Sequence, residues 1–360
     1  MISLKAGLFL VIISLVFSIQ FSHAQKFVIP ILPDTQNEVW HNPEMYNSQM
    51  KWIADNKTIL NIPIVIHVGD IIKWETPDKS MWKTASNGFK ILDKAKIPYV
   101  ITPGNHDCAL VKVGQGPLPG VLLTFRRIAM YIAEILGLGK GLGDAHCEIR
   151  DTRQFNEVFP VKRFIAQRGR YENGKSDNAW YIFKAGDLNW MVLALEFCPR
   201  QGAVDWANKV ISDYPDYNVI IVTHYHLTSK GLISENNAGY GDLSPKAVYD
   251  QLVRIHPNVR LVVSGHVDSS SWRDDIGIKG NHIYQLLQDY QEDNLGGGFI
   301  RLLEIDTKSG TISARMYSPY SNQTKKDLSY FTFSKVDFIK SDLAIHQGNG
   351  TLSENINLDK

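Results

Sequence analysis

The sequence predicts an α/β protein whose buried, mainly parallel strands alternate with amphipathic helices for most of the chain, with antiparallel strands closing it. Three observations carry this. Apolar runs at 27–32, 62–68, 97–102, 219–223 and 259–264 show no polar alternation, as strands buried on both faces require. Segments of helical period separate most of these runs. Beyond residue 268 the period shifts to the two-residue alternation of half-buried antiparallel strands, near 282–287, 299–305 and 311–317.

Taken in order, the chain opens with an uncharged apolar run at 6–19 followed by Ser22-His23-Ala24, small residues at the positions a signal peptidase reads. Residues 1–24 are therefore expected to be a signal peptide cleaved between Ala24 and Gln25, which implies a secreted or periplasmic protein with no membrane span after removal. The body of the chain is expected at 25–340, with a polar, aperiodic tail at 341–360. The first buried run closes on Pro33-Asp34-Thr35-Gln36, and a helix follows with Met45, Tyr46, Met50, Trp52, Ile53 and Ile59 on its apolar face. The second run ends in Gly69-Asp70 and leads to a helix around 81–94. The third ends in Gly104-Asn105-His106-Asp107.

Residues 109–145 break this rhythm. They are Gly-rich at both ends and apolar nearly all round in the middle, and read as an inserted helix or helical hairpin, either a lid beside a site or a helix packed on the core. Two strands at 179–184 and 190–197 flank Ala185-Gly186-Asp187-Leu188-Asn189, a hairpin signature. Arg200 opens a helix at about 201–212. The run at 219–223 ends in His224-Tyr225-His226, Ser244-Pro245 starts another helix, and the run at 259–264 ends in Gly265-His266-Val267-Asp268.

Composition bounds the function. The 360 residues are 44% hydrophobic, enough for a large core, and 38 basic side chains balance 37 acidic ones, so no steering field toward a nucleic acid duplex is expected. Three cysteines allow a Cys108–Cys147 bridge across the insertion or three buried thiols, and they exclude a disulfide scaffold.

Five strand ends thus present Asp34 with Gln36, Asp70, Asn105 with His106, His224, and His266 with Asp268. In α/β sheets, ligands gather at the carboxyl ends of the strands, where residues far apart in sequence meet. Carboxylates, amide oxygens and imidazoles in this mixture suit two divalent cations about 3.5–4 Å apart, with one carboxylate between them.

This ordered set resembles the calcineurin-like metallophosphoesterase family, whose motifs are Asp-x-His, Gly-Asp, Gly-Asn-His-Asp/Glu, a lone His and Gly-His-x-His. The resemblance implies a four-layer α/β/β/α sandwich of two mixed sheets flanked by helices. It implies a metal-dependent phosphatase or phosphodiesterase acting on a small-molecule phosphate ester, with in-line attack by a hydroxide bridging two metal ions. Asp70 would bridge the ions, Asp34 would hold the first, and Asn105, His224 and His266 the second. His106 would protonate the leaving oxygen with Asp107 orienting it, and Asn105, Arg200 and His226 would contact substrate. Here Gln36 and Asp268 stand where the family has histidines. The first position is then nearly all oxygen, which favours Mn, Mg or Ca over Zn, while the second suits Mn, Fe or Zn. Two other expectations stay open: a metal- or phospho-ligand-binding module with weakened catalysis, and a phospholipid or phosphoprotein phosphatase that uses the insertion.

Overall fold

The computed structural model describes residues 25–73, 75, 78–111, 132, 146–148, 150–237 and 242–340. The expected signal peptide, most of the insertion at 109–145, the side chain of Cys147 and the tail at 341–360 lie outside the described residues.

Two seven-stranded mixed sheets form the molecule. In the first, β1 (Lys26–Leu32), β2 (Val65–His67) and β3 (Tyr99–Ile101) run parallel. β13 (Ile300–Asp306) pairs antiparallel with β1, and β14 (Thr311–Ser318) continues the sheet, with β15 (Gln323–Lys325) and β16 (Phe331–Ser334) against it. The second sheet has the order β11 (Ser269–Ile276), β12 (His282–Asp289), β10 (Val259–Ser264), β9 (Asn218–Thr223), β8 (Leu188–Leu195), β7 (Ala179–Ala185), β6 (Gln167–Arg170). Its four central strands β8, β9, β10 and β12 are parallel. A further small ribbon pairs β4 (Ala109–Val111) with β5 (His146–Glu148).

Alternation along the strands builds the layers. In β8, Trp190, Val192 and Ala194 enter a core shared with the first sheet and its helices. Met191, Leu193 and Leu195 enter a second core on the opposite face. Helices α2 (Pro43–Asn56) and α3 (Ser80–Lys94) add Tyr46, Met50, Ile53, Trp82 and Phe89 to the first core. Helices α5 (Gln201–Asp213) and α6 (Pro245–Gln251) cover the second with Val204, Ala207, Ile211 and Val248. Two short helices, α1 (Gln36–His41) and α4 (Arg153–Val158), complete the set. The order is helix, sheet, sheet, helix, as the resemblance implied.

Local chemistry fixes the connections. Asn42 Oδ1 accepts from the Met45 amide and Pro43 fills the first turn of α2. Ser244 Oγ caps α6 in the same way, accepting from the Ala247 amide at 3.2 Å. Gly186 and Asp187 both take left-handed backbone, φ 59° and 60°, between the paired residues Ala185 and Leu188, the two-residue turn that matches strand twist.

Three expectations need correction. The run at 62–68 yields only the three residues of β2. Ile59 lies beyond the end of α2 and is 81% exposed, so it is not part of that helix face. β12, expected in the antiparallel half, pairs parallel with β10 and antiparallel with β11, and is buried from its second residue to its last. The polar edge strand β11 had no apolar run to announce it.

The five motifs sit at the carboxyl ends of the parallel strands β1, β2, β3, β9 and β10. The amino ends lie at the opposite pole, where Lys26 pairs with Asp306. There Asn218, at the start of β9, exchanges two hydrogen bonds with the Ile339 backbone.

Candidate metal centre

Asp34 follows β1, and its buried Oδ2 accepts from the His266 amide at 2.9 Å. Asp70 follows β2 with φ 52° and accepts from the His106 amide through Oδ1 at 2.9 Å. These contacts exist because two neighbours lack side chains. A Cβ at Gly265 would come within 2.0 Å of Asp34 Oδ1, and one at Gly104 within 2.0 Å of Asp70 Oδ1. The motif glycines make room for carboxylates.

His224, at the end of β9, is fully buried and donates from Nδ1 to the Val68 carbonyl at 2.8 Å. Its Nε2 therefore turns inward, 3.2 Å from Asp70 Oδ2 and 3.9 Å from Asp34 Oδ2. Burial would lower its pKa, but the Asp70 carboxylate raises it. His266 takes φ 72° and sets Nδ1 3.0 Å from Asn105 Oδ1. Ligand atoms of Asp70, His224 and His266 lie within 4.8 Å of one another. Gln36, at the start of α1, donates from Nε2 toward Asp70 Oδ2 at 3.4 Å. Phe197 and Tyr225 wall the imidazoles, with ring centres 5.0 and 4.7 Å from that of His266.

The donor set fits divalent cations. Asp34 Oδ1, Gln36 Oε1 and His224 Nε2 are buried and find no hydrogen-bond partner among the described residues. Leaving such groups unmet costs about 1–3 kcal/mol each, more for a charge. A nitrogen lone pair set against two carboxylates is stable only with a proton or a cation between them. Burial, then the charges of Asp289 and Asp70, push the Asp34 carboxyl well above its ordinary range. Asp70 goes the other way, because His224 and His106 outweigh the effect of burial.

His106 is placed by the same loop. Its Nδ1 donates to the Lys73 carbonyl at 2.6 Å, and Nε2 points to the Asp70 side, 3.9 Å from Oδ2. The ring keeps a partly exposed face, with a side-chain exposure of 15%. Burial lowers its pKa although Asp70 raises it.

Four expected site residues are placed elsewhere. Asp107 does not orient His106: its oxygens accept from the Gly104, Ile71 and Ile72 amides, tying the Asp70 loop to the Asn105 loop. Arg200 is not available to substrate, because its guanidinium is held by Glu196 and Glu172. His226 is buried, with Nε2 2.7 Å from Gln285 Oε1, and burial pulls its pKa down to about 4. Asp268 is exposed and accepts from the Glu292 backbone beside the Glu292 and Asp293 charges, because the turn at His266 sends it outward.

Two buried residues escaped the sequence reading. His67 accepts from the Gly69 amide at Nδ1 and meets Thr35 Oγ1 at 2.9 Å through Nε2, joining the first two motif loops. Burial pulls its pKa down to about 3, so the imidazole is neutral. Asp289 ends β12, buried, with its pKa pushed up to about 7 by burial.

A model of the family described as calcineurin-like phosphoesterase matches residues 31–269, from β1 through the start of β11. The uncharacterized protein YvnB of Bacillus subtilis (strain 168) is 28% identical over 307 residues, which cover 83% of this chain and 20% of that protein. The chain thus spans about a fifth of the length of that relative. Among solved structures, a dimetal phosphatase from Danio rerio is 12% identical, with a TM-score of 0.45, over 85% of this chain and 99% of that one. GAP50, the anchor in the inner membrane complex of Plasmodium, is 13% identical with a TM-score of 0.42, over 86% of this chain and 88% of that one.

Proposed function

The chain belongs to the calcineurin-like phosphoesterase family, and from that premise we propose that it is a metal-dependent phosphoric ester hydrolase that cleaves small-molecule phosphate esters outside the cytoplasm. Asp34 and Gln36 would hold the first divalent cation, Asn105, His224 and His266 would hold the second, and Asp70 would serve both. The observation that carries this assignment is the inward lone pair of His224 Nε2, fixed by the bond from Nδ1 to Val68 and facing Asp70 and Asp34.

When bound, such cations neutralise charge on phosphoryl oxygens and acidify water. The chain's own residues do the rest. Asn105, whose Oδ1 lies 3.0 Å from His266 Nδ1, would offer its amide to the phosphoryl group. Because the Nδ1–H of His106 is committed to the Lys73 carbonyl, Nε2 is the ring atom that can take up a second proton, and in that imidazolium form it would deliver the proton to the leaving oxygen. Phe197 and Tyr225 pack against the His266 ring, which would help to hold that imidazole in place. Export rests on the apolar run and small residues at 1–24. Among the described residues, no helix is long and apolar enough to cross a membrane.

Replacing His106→Gln is expected to slow hydrolysis of an alkyl phosphate by about 10²–10⁴-fold, the usual span for a lost general acid. Loss with nitrophenyl phosphate, whose leaving oxygen needs no proton, should be much smaller, with bound metal unchanged. Equal losses on both esters would remove His106 from this role. The binding-module alternative predicts no turnover of either ester by metal-loaded wild-type protein.

A further inference from the structure

We infer that Asp289, not Asp268, completes the first cation position alongside Asp34, Gln36 and Asp70. The family pattern sets a histidine two residues after His266, and this chain has Asp268 there. That side chain is exposed and directed to the Glu292 backbone, so the position nominally reserved for a ligand is outside the pocket.

Asp289 stands where a replacement is needed. β12 runs parallel to β10, with Leu287 beside Ser264, so two residues further each chain delivers a side chain to the same edge: His266 from one strand and Asp289 from the other. Asp289 is fully buried. The Gln291 amide and side chain donate to its two oxygens at 2.9 and 3.2 Å, which orients the carboxylate and leaves further lone pairs on both. Asn37, next to Gln36, holds the Gln291 carbonyl at 2.7 Å, so the Asp289 turn and α1 move as one body.

Two unmet buried atoms face the same ligand problem. Asp34 Oδ1 and Gln36 Oε1 have no partner among the described residues although both residues are at most 1% exposed. Asp34, Asp70 and Asp289 are each buried, and carboxylates held out of water are tolerated as charges only with a counterion. An all-oxygen set of three carboxylates and one amide favours hard cations such as Mn or Mg over Zn. Asp289 lies beyond the residues that the family model matches, so the ligand would be a feature of this chain's own second sheet.

The inference rests on the dinuclear reading above, and one experiment separates the two. Wild-type protein, Asp289→Asn and Asp268→Asn are stripped with chelator, reloaded with Mn, gel-filtered and assayed for metal by mass spectrometry, with circular dichroism to verify folding. Two ions per chain are expected for wild type and Asp268→Asn, and one for Asp289→Asn. Two ions retained by Asp289→Asn, or one lost from Asp268→Asn, would overturn the assignment alone. Fewer than two in wild type would overturn the dinuclear reading and the assignment with it. A milder variant covers poor folding of Asp289→Asn: Gln291→Ala removes one orienting hydrogen bond and should weaken one of the two Mn affinities by about tenfold. Two unchanged affinities would count against Asp289.

Discussion

Glu38 illustrates how burial alone sets the behaviour of a carboxyl. Its Oε1 accepts from the Gly298 amide and from Gln49, while Oε2 has no partner among the described residues. Burial raises its pKa from 4.5 to about 8 against those two hydrogen bonds. The folded state therefore holds this proton more tightly than the unfolded chain. The stability it contributes is complete below about pH 4.5 and is lost as pH rises toward 8. Glu38→Gln keeps the shape without the ionisation, so it should raise urea stability at pH 8–9 by about 1–3 kcal/mol and change little at pH 4.5. A uniform effect across that range would show that ionisation of Glu38 is not the cause. At this scale the strand-end ligands were legible, because a glycine followed by Asp, Asn or His after an apolar run marks a side chain delivered to a sheet edge. Arg200 was not: its partners Glu196 and Glu172 are respectively four and 28 residues away, and nothing local announces the second. Asp289 did not carry that signal: Gln285 and Gln288 interrupt the apolar pattern before it, and no glycine precedes it.

Among the elements, the contact of α2 with α3 sets two principles against each other. Gly88 lies inside α3, where alanine would ordinarily stabilise the helix by about 0.5–1 kcal/mol. A Cβ there, however, would come within 2.3 Å of the Tyr46 ring, and Tyr46 is fully buried with its hydroxyl donating to the Ala85 carbonyl. Overpacking costs about 1–3 kcal/mol, so Gly88→Ala should lower stability by about 1–2 kcal/mol in denaturant titration. A gain would mean that Tyr46 moves aside freely. The parallel strands and the helices between them were readable because continuous β-branched runs and a 3.6-residue period are strong local signals. β11 and the short strands β4, β5, β6 and β15 were not, because tertiary pairing, not their own sequence, makes them strands. The turn that sends Asp268 outward is equally invisible, since it depends on the backbone of one residue, His266.

For the molecule as a whole, the centre is a stability device as well as a reactive one. Chelation should lower the melting temperature by leaving the buried Asp34 and Asp70 without compensating charge. Readdition of Mn at a hundred times its dissociation constant should return about 2.7 kcal/mol per site by mass action. An unchanged melting curve with chelator would show that the centre does not couple to folding. The two poles of the sandwich divide the work. Among the described residues, Lys26 opens β1 and Ile339 lies beside Asn218, and both points lie at the pole away from the strand ends that hold the motifs. Anything attached before residue 25 or after residue 340, whether a tether to a surface or the neighbouring modules of a longer polypeptide, would therefore hang from the rear of the domain like a handle. The reactive mouth would face outward from whatever the handle holds.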